Sequence, residues 1–94
     1  MRPMEGMRVI ALEHAVAAPL CTRHLADMGA DVIKIERPGD GDFARNYDDY
    51  VNGLCSHFIW LNRGKRSVTL DVKNPDARAA LDTLIASADV LVQN

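Results

Sequence analysis

The sequence has few cysteines and no motif that would give them a chemical role. Cys21 and Cys55 are the two cysteines, and neither belongs to a CxxC pair or to another spacing typical of zinc or redox sites. Cys21 and His24 stand three residues apart, but no third ligand lies near them in the sequence. The pattern therefore predicts no metal site and favours two buried, unreactive thiols.

Long apolar runs and an excess of one charge are also absent. No run approaches the roughly 20 residues needed to span a bilayer, and residues 1–5 lack the apolar core of a signal peptide. The 11 Lys and Arg residues face 13 Asp and Glu residues, for a net charge of -2. This balance gives no reason to expect a nucleic acid or a membrane as partner. We expect a cytoplasmic protein.

Two nucleotide-binding fingerprints are missing as well. No GxGxxG and no GxxxxGK followed by Ser or Thr comes after any apolar run, which argues against an ordinary Rossmann dehydrogenase and a P-loop NTPase. The histidines at 14, 24 and 57 have no Ser or Cys partner that spacing alone would bring into contact. The sequence therefore predicts no catalytic residue.

Strand and helix signals alternate along the 94 residues, of which 48% are hydrophobic. Short apolar, β-branched runs predict four strands, and helical periodicity predicts the segments between them. The predicted strands cover residues 8–12, 31–36, 67–72 and 89–94. A polar loop with a short helical turn is expected from Pro38 to Asn52, and a short helix of low amphipathicity over residues 56–61.

Two helices have clear boundaries. Pro19 suits the first position of one helix and Gly29 its end. A stripe of Cys21, Leu25 and Met28 marks one face of this helix. Asn74 and Pro75 begin the other helix, and its apolar stripe is wide enough to cover a sheet. That stripe consists of Ala77, Ala80, Leu81, Leu84, Ile85 and Ala88.

The spacing of these elements indicates the fold class. A strand, a helix and a strand within about 30 residues leave no room for a hairpin and predict a parallel βαβ crossover. We predict an α/β fold, a partial Rossmann-like open parallel sheet of about four strands with flanking helices. The fourth strand is not followed by a crossover helix, so we expect the sheet to be truncated before completion.

Ligands of open parallel sheets bind beyond the carboxyl ends of the strands, so the residues after each strand are candidates. After the first strand, backbone N–H groups and the helix dipole at Val16–Pro19 suit a phosphate or carbonyl oxygen, although a compact turn is the alternative. After the third and fourth strands the candidates are Leu70, Asp71, Lys73 and Asn94.

Glu36 and Arg37 follow the second strand. A carboxylate at this position suits a ribose diol, as in dinucleotide folds, and Arg37 suits a phosphate. A solvated surface pair is the alternative. The basic cluster of Arg63, Lys65 and Arg66 is equally compatible with an anionic ligand and with a solvated turn.

Several blocks, in this order, resemble the class III CoA transferases, a family that also includes acyl-CoA racemases. The most specific are GADVIKIERP at residues 29–38 and NRGKRS at 62–67. The others are GMRVI at 6–10, AP at 18–19, Gly41-Asp42 with Arg45, LDVK at 70–73 and ADVLVQN at 88–94. The resemblance covers essentially all 94 residues.

The resemblance implies a CoA site beyond these same strand ends. It maps onto Val16, Ala17, Arg37, Leu70, Lys73 and Asn94. Arg37 would hold phosphate at the nucleotide end of CoA, with Lys73 adding charge nearby. The implied partners are an acyl-CoA and a carboxylic acid, with no metal, nucleic acid or membrane, and an interlocked homodimer in the longer family members. Residues 1–94 would be the N-terminal portion of the CoA-binding Rossmann-like domain.

The implied reaction transfers CoA between an acyl-CoA and a carboxylic acid through an aspartyl intermediate. By resemblance the catalytic aspartate lies beyond Asn94, so no aspartate here is given that role and this segment alone is expected to be inactive. An α-methylacyl-CoA racemase of the same family is one alternative. A nucleotide-binding module of dehydrogenase type and an inactive truncated remnant are the others.

Overall fold

Four parallel strands form one sheet, in the order β3-β2-β1-β4, in a computed structural model that describes residues 2–94. The strands are β1 (Arg8–Leu12), β2 (Asp31–Glu36), β3 (Arg66–Thr69) and β4 (Val90–Gln93). The helices are α1 (Ala17–Asp27), α2 (Ser56–Asn62) and α3 (Pro75–Ala86), with a 3-10 helix at Phe43–Asn46. The predicted α/β fold with a four-stranded parallel sheet is confirmed.

The two faces of the sheet are covered by different helices. Val9, Ala11 and Val32 pack with residues of α1 on one face. Ile10, Ile33 and Ile35 pack against Leu81 of α3 on the other. Successive strand residues point to opposite faces, so one apolar strand contributes side chains to the core on both sides of the sheet. Across residues 2–94, no helix is long and apolar enough to cross a membrane.

The first helix buries a face that the sequence did not indicate. We predicted a shared face of Cys21, Leu25 and Met28, of which only Leu25 packs against the core. The fully buried residues of α1 are Ala18, Pro19, Thr22 and Ala26. Small side chains let the helix approach the sheet closely, and the Thr22 hydroxyl is buried because it donates to Glu13. Cys21 is exposed, so the prediction of two buried thiols is wrong for Cys21 and confirmed for Cys55.

Two boundaries differ from the prediction by two residues or more. Helix α1 begins at Ala17, which leaves Pro19 in its first turn, where N–H groups have no intrahelical partner. Strand β3 ends at Thr69, rather than at Val72, because β2 ends at Glu36 and offers no further pairing. In α3, Ala80 belongs to the predicted apolar stripe but is exposed. Asn74 caps this helix as predicted, since its side chain accepts from the backbone of residues 76 and 77.

Candidate functional site

Two adjoining cavities lie at the carboxyl ends of the strands. Their volumes are about 520 and 530 Å³, within the usual range for small-molecule sites. The second is lined by residues 37–38 and 70–73. Both are lined by Arg37, Leu70 and Val72, so they form one continuous groove, which we call the strand-end groove. The first cavity is lined by Leu12, Glu13, His14, Ile35, Glu36, Arg37, Gly41, Asp42, Phe43, Leu70, Val72, Gln93 and Asn94.

Four of the six predicted site residues line this groove. Arg37 and Leu70 border both cavities, Asn94 borders the first and Lys73 the second. The other two, Val16 and Ala17, line neither cavity and are exposed where α1 begins. The structure therefore brings together the candidates that follow β2, β3 and β4, and leaves those of the first loop apart.

Arg37 is held in place without being neutralised. Its Nε donates to the carbonyl oxygen of Gly41 at 2.8 Å. Gly41 has a φ of 65°, and an added Cβ would lie 2.9 Å from a carboxylate oxygen of Glu36, so glycine is required there. Within residues 2–94, neither Arg37 nor Lys73 forms an ion pair. Two exposed cations thus border the second cavity without a carboxylate partner.

Glu36, by contrast, is fully engaged. Its carboxylate accepts two hydrogen bonds from Arg45, at 2.9 and 2.7 Å, and one from Ser67 at 2.6 Å. The backbone N–H of Asp42 donates to it as well. Burial raises the pKa of Glu36, but these hydrogen bonds outweigh burial and lower the pKa to about 2. Glu36 has no free oxygen for a ribose diol, which argues against the dehydrogenase alternative.

Below the groove lies a buried ion network of Glu13, Lys34, Asp42 and Lys65. Lys34 Nζ donates to Asp42 at 2.8 Å, and Lys65 Nζ donates to Glu13 at 2.9 Å. All four side chains are at most 2% exposed. Burial raises the pKa of Asp42, but the hydrogen bond from Lys34 and two backbone N–H groups lower it overall. Burial lowers the pKa of Lys65, with Glu13 opposing the effect.

This network fixes the first loop against the groove. Asp42 Oδ1 accepts from the backbone N–H of Ala15, which has a φ of 64°. A left-handed backbone costs a non-glycine residue about 1 to 2 kcal/mol, so the loop needs such contacts. The Asn94 side chain adds two more, since its amide accepts from His14 N and donates to His14 O. Asn94 therefore shapes the groove wall through its amide.

Each basic residue in the cluster at 63–66 forms an ion pair within the chain. Arg63 pairs with Asp27 at 3.1 Å, and Arg66 pairs with Asp31 at 2.6 Å. Lys65 belongs to the buried ion network. Because each cation has a carboxylate partner, the cluster is a structural feature and offers no anion site.

Sequence reasoning missed the buried ion network and the contact between His14 and Phe43 in the lining of the groove. The one available signal was Lys34, a charge in the middle of the apolar run VIKIE, since a buried lysine requires a counterion. Its partner Asp42 comes from a loop whose path the sequence does not specify. His14 and Phe43, with ring centroids 5.1 Å apart, likewise meet only in the fold.

A family model for CoA-transferase family III matches residues 4–94. The chain belongs to this family. The formyl-CoA:oxalate CoA-transferase of Afipia carboxidovorans is 46% identical over 94 residues, and that of a Bradyrhizobium species is 47% identical. Each comparison covers 99% of this chain and 22% of the relative. The chain thus spans about a fifth of the length of these relatives.

Solved structures give the same result. A CAIB/BAIF family protein from Brucella suis superposes with a TM-score of 0.90 at 37% identity, covering 99% of this chain and 26% of that one. A hypothetical protein from Mycobacterium tuberculosis superposes with a TM-score of 0.87 at 40% identity, covering 97% and 25%. The sheet and helices of this chain are therefore a recurring part of larger family members. The predicted family is confirmed.

Proposed function

We propose that this chain supplies the CoA-binding groove of an acyl-CoA:carboxylate CoA-transferase. The observation that carries the proposal is that Arg37 and Lys73 border the groove and form no ion pair with any residue from 2 to 94. The buried lysines Lys34 and Lys65, by contrast, are each paired with a carboxylate. Membership of the family supports CoA thioesters as the substrates. Residues 1–94 would then form part of the CoA-binding Rossmann-like domain.

The groove offers CoA two kinds of surface. At one end, the planar guanidinium of Arg37 presents a fork of N–H donors suited to a phosphate, and Lys73 adds a flexible point charge. At the other end, Leu12, Ile35 and Leu70 supply an apolar wall bordered by Asn94. We infer that the phosphates of the nucleotide lie at Arg37 and Lys73, with the apolar remainder of the ligand along the first cavity. Val16 and Ala17 would contact it only from the rim.

The reaction we propose uses an aspartate outside the groove residues described above. In that reaction the aspartate attacks the thioester carbonyl, CoA thiolate leaves, and a mixed anhydride forms. The thiolate then attacks the aspartyl carbonyl, which releases the donor acid and leaves CoA on the aspartate as a thioester. The acceptor acid attacks this thioester to form a second mixed anhydride and release the thiolate. The thiolate finally attacks the acceptor's carbonyl, which gives the new acyl-CoA and frees the aspartate. The acidic residues lining the first cavity, Glu13, Glu36 and Asp42, are buried and hydrogen-bonded, which makes them poor nucleophiles.

Transfer is proposed over racemisation because the relatives compared above carry the name of a transferase. An α-methylacyl-CoA racemase would use the same groove and would move the α-proton without exchanging the acid. Incubating the active enzyme with acyl-CoA and a labelled acid distinguishes the two. Label in the thioester indicates transfer, and solvent deuterium at the α-carbon without label indicates racemisation.

We propose that the assembled enzyme is a homodimer. Large apolar side chains around the 3-10 helix and α2 are exposed here, including Tyr50 at 83% and Trp60 at 49%. Exposed apolar side chains that gather on one face of a protein are typical of an interface. We infer that a second subunit covers these side chains.

The proposal for CoA is tested by calorimetric titration of the chain with CoA and with 3′-dephospho-CoA. We expect CoA to bind and Arg37→Ala to weaken binding by about 1 to 3 kcal/mol, the magnitude of a lost charged hydrogen bond. If Arg37 holds the 3′-phosphate, 3′-dephospho-CoA will bind wild type and Arg37→Ala equally.

The matched control is Arg78→Ala. Arg78 is an exposed arginine on α3 that pairs with Asp82 and lies outside the groove. Its removal should leave CoA affinity unchanged. A chain that is folded by circular dichroism and binds no CoA, or an Arg37→Ala variant with wild-type affinity, would contradict the proposed site while leaving the family unchanged.

A further inference from the structure

Three different metal-ligating side chains converge where the long loop meets α2. They are Asp48, Cys55 and His57, and their ligand atoms all lie within 4.8 Å of one another. Cys55 directly precedes α2, and His57 is in its first turn. Asp48 comes from the loop and reaches across to both. None of the three lines the strand-end groove.

The spacing of two of these ligands already suits a tetrahedral metal ion. His57 Nδ1 and Asp48 Oδ2 are 3.2 Å apart. Two zinc bonds of about 2.0 to 2.2 Å that meet at a tetrahedral angle join atoms about 3.3 to 3.6 Å apart. Zinc can therefore replace the proton between these atoms with little movement. The Cys55 sulfur lies within 4.8 Å of both atoms and has to move closer to them to complete the set.

Neighbouring groups hold the carboxylate in position. Asp48 Oδ1 accepts from the backbone N–H of Ser56 at 2.7 Å and of Tyr50 at 3.1 Å, and Oδ2 accepts from the Ser56 hydroxyl at 2.6 Å. The hydrogen bonds from Ser56 hold the pKa of Asp48 well below its usual range, so it is ionised at neutral pH. Ligating carboxylates in metal sites are supported by hydrogen bonds of this kind.

Exposure of the ligands indicates how the site is completed. Cys55 is 4% exposed, whereas the His57 side chain is 50% exposed. The buried thiol and carboxylate form the floor of the cluster, and solvent reaches it on the histidine side. A water molecule can therefore supply a fourth ligand, as in zinc sites with three protein ligands.

We propose that Asp48, Cys55 and His57 bind one Zn²⁺ ion, with water in the fourth position. A thiolate and an imidazole select zinc over magnesium or calcium, which prefer oxygen ligands. On binding, Cys55 loses its thiol proton to solvent, and the neutral imidazole binds through Nδ1 with its one ring proton on Nε2 instead of between Nδ1 and Asp48. Two negative ligands then balance the charge of the ion. The site joins the loop to α2 independently of the CoA groove and of the proposed reaction.

Sequence reasoning did not find this cluster, because spacing drew attention to Cys21 and His24. In the structure the ligands are spaced seven and two residues apart and are united by a turn, closed by a bridge between Val51 and Leu54. The expectation of no metal site rested on the absence of a sequence motif. The fold assembles the ligands without one.

Titration of the chain with Co²⁺ tests the site, because a thiolate bound to Co²⁺ gives a charge-transfer absorbance and tetrahedral geometry gives strong visible bands. We expect saturation at one Co²⁺ per chain and displacement by Zn²⁺. Cys55→Ser should abolish the charge-transfer band. His57→Gln should weaken binding by at least about tenfold, since even indirect contacts to a metal ligand contribute that much.

Matched controls are Cys21→Ser and His24→Gln, which change the exposed cysteine and histidine on α1 and should leave the spectrum and affinity unchanged. A second readout is thermal stability, which Zn²⁺ should raise less in His57→Gln than in wild type, because stabilisation of the folded state falls as the affinity of its ligand falls. Absence of the thiolate band in wild type, or its persistence in Cys55→Ser, would overturn the proposal.

Discussion

Two pairs of cations in this chain have opposite surroundings. Lys34 and Lys65 are almost completely buried and each donates to a carboxylate within 3 Å. Arg37 and Lys73 are exposed and form no ion pair with residues 2–94. Because a buried charge requires a partner and an exposed one does not, the first pair stabilises the loop and the second remains available to a ligand.

The largest effect expected from this comparison is on stability, from Lys34→Met. The substitution leaves the Asp42 carboxylate buried without its cation, which costs about 3 to 5 kcal/mol. A domain of this size has an unfolding free energy of about 5 to 14 kcal/mol, so much of its stability would be lost. Urea denaturation followed by circular dichroism measures the change.

The control for Lys34→Met is Arg78→Ala, which breaks an exposed pair and should change the unfolding free energy by less than about 0.5 kcal/mol. Equal effects of the two substitutions would show that burial does not distinguish the pairs.

The next effect is on acid stability, through Glu36. Its pKa is about 2 in the folded chain and 4.5 when unperturbed, so the folded state binds the proton less tightly. The resulting stability is complete above pH 4.5 and is lost as the pH falls towards 2, amounting to about 3 kcal/mol. We expect the unfolding free energy to decline across this window, and Glu36→Gln to flatten the decline. An unchanged slope in that variant would contradict the assignment.

A smaller effect is expected from Lys73→Ala, which should weaken CoA binding by about 1 kcal/mol without changing stability. Lysine contributes a point charge where Arg37 contributes a planar fork, so its loss should cost less than that of Arg37. Calorimetry at two salt concentrations measures it. A drop in unfolding free energy, or a loss larger than that of Arg37→Ala, would reverse the proposed roles.

The smallest effect is expected from Arg63→Ala. Arg63 pairs with Asp27 at an exposed position far from the strand ends, so CoA affinity should not change. The substitution distinguishes a basic cluster that is only paired from one that binds an anion. Weaker CoA binding in this variant would restore the cluster as part of the site.

Local signals predicted most of the fold. The β-branched run of residues 31–36 and the Asn74-Pro75 helix start carry their structure in neighbouring residues, and both agree with the prediction. The buried face of α1 was predicted correctly only at Leu25, because the position of this face depends on the hydrogen bond between Thr22 and Glu13. Periodicity indicates which residues share a face of the helix. It does not indicate which face is buried when that depends on a hydrogen bond to a residue distant in the sequence.

The groove was predictable to the extent that it follows from sheet topology. Parallel strands place their carboxyl ends together, so Arg37, Leu70 and Asn94 were correctly expected to lie near one another. The contacts that support them were not predictable. Asp42 reaches Lys34 and Ala15 through a loop held by glycine at residue 41, and such a path depends on tertiary packing.

The most direct test of the contrast between buried, paired cations and exposed, unpaired ones is to measure unfolding free energy and CoA affinity on the same preparation of Arg37→Ala. We predict unchanged stability, within about 0.5 kcal/mol, together with CoA binding weakened by about 1 to 3 kcal/mol. Lost stability with unchanged CoA affinity would contradict the central claim, because Arg37 would then be a structural cation like Lys34.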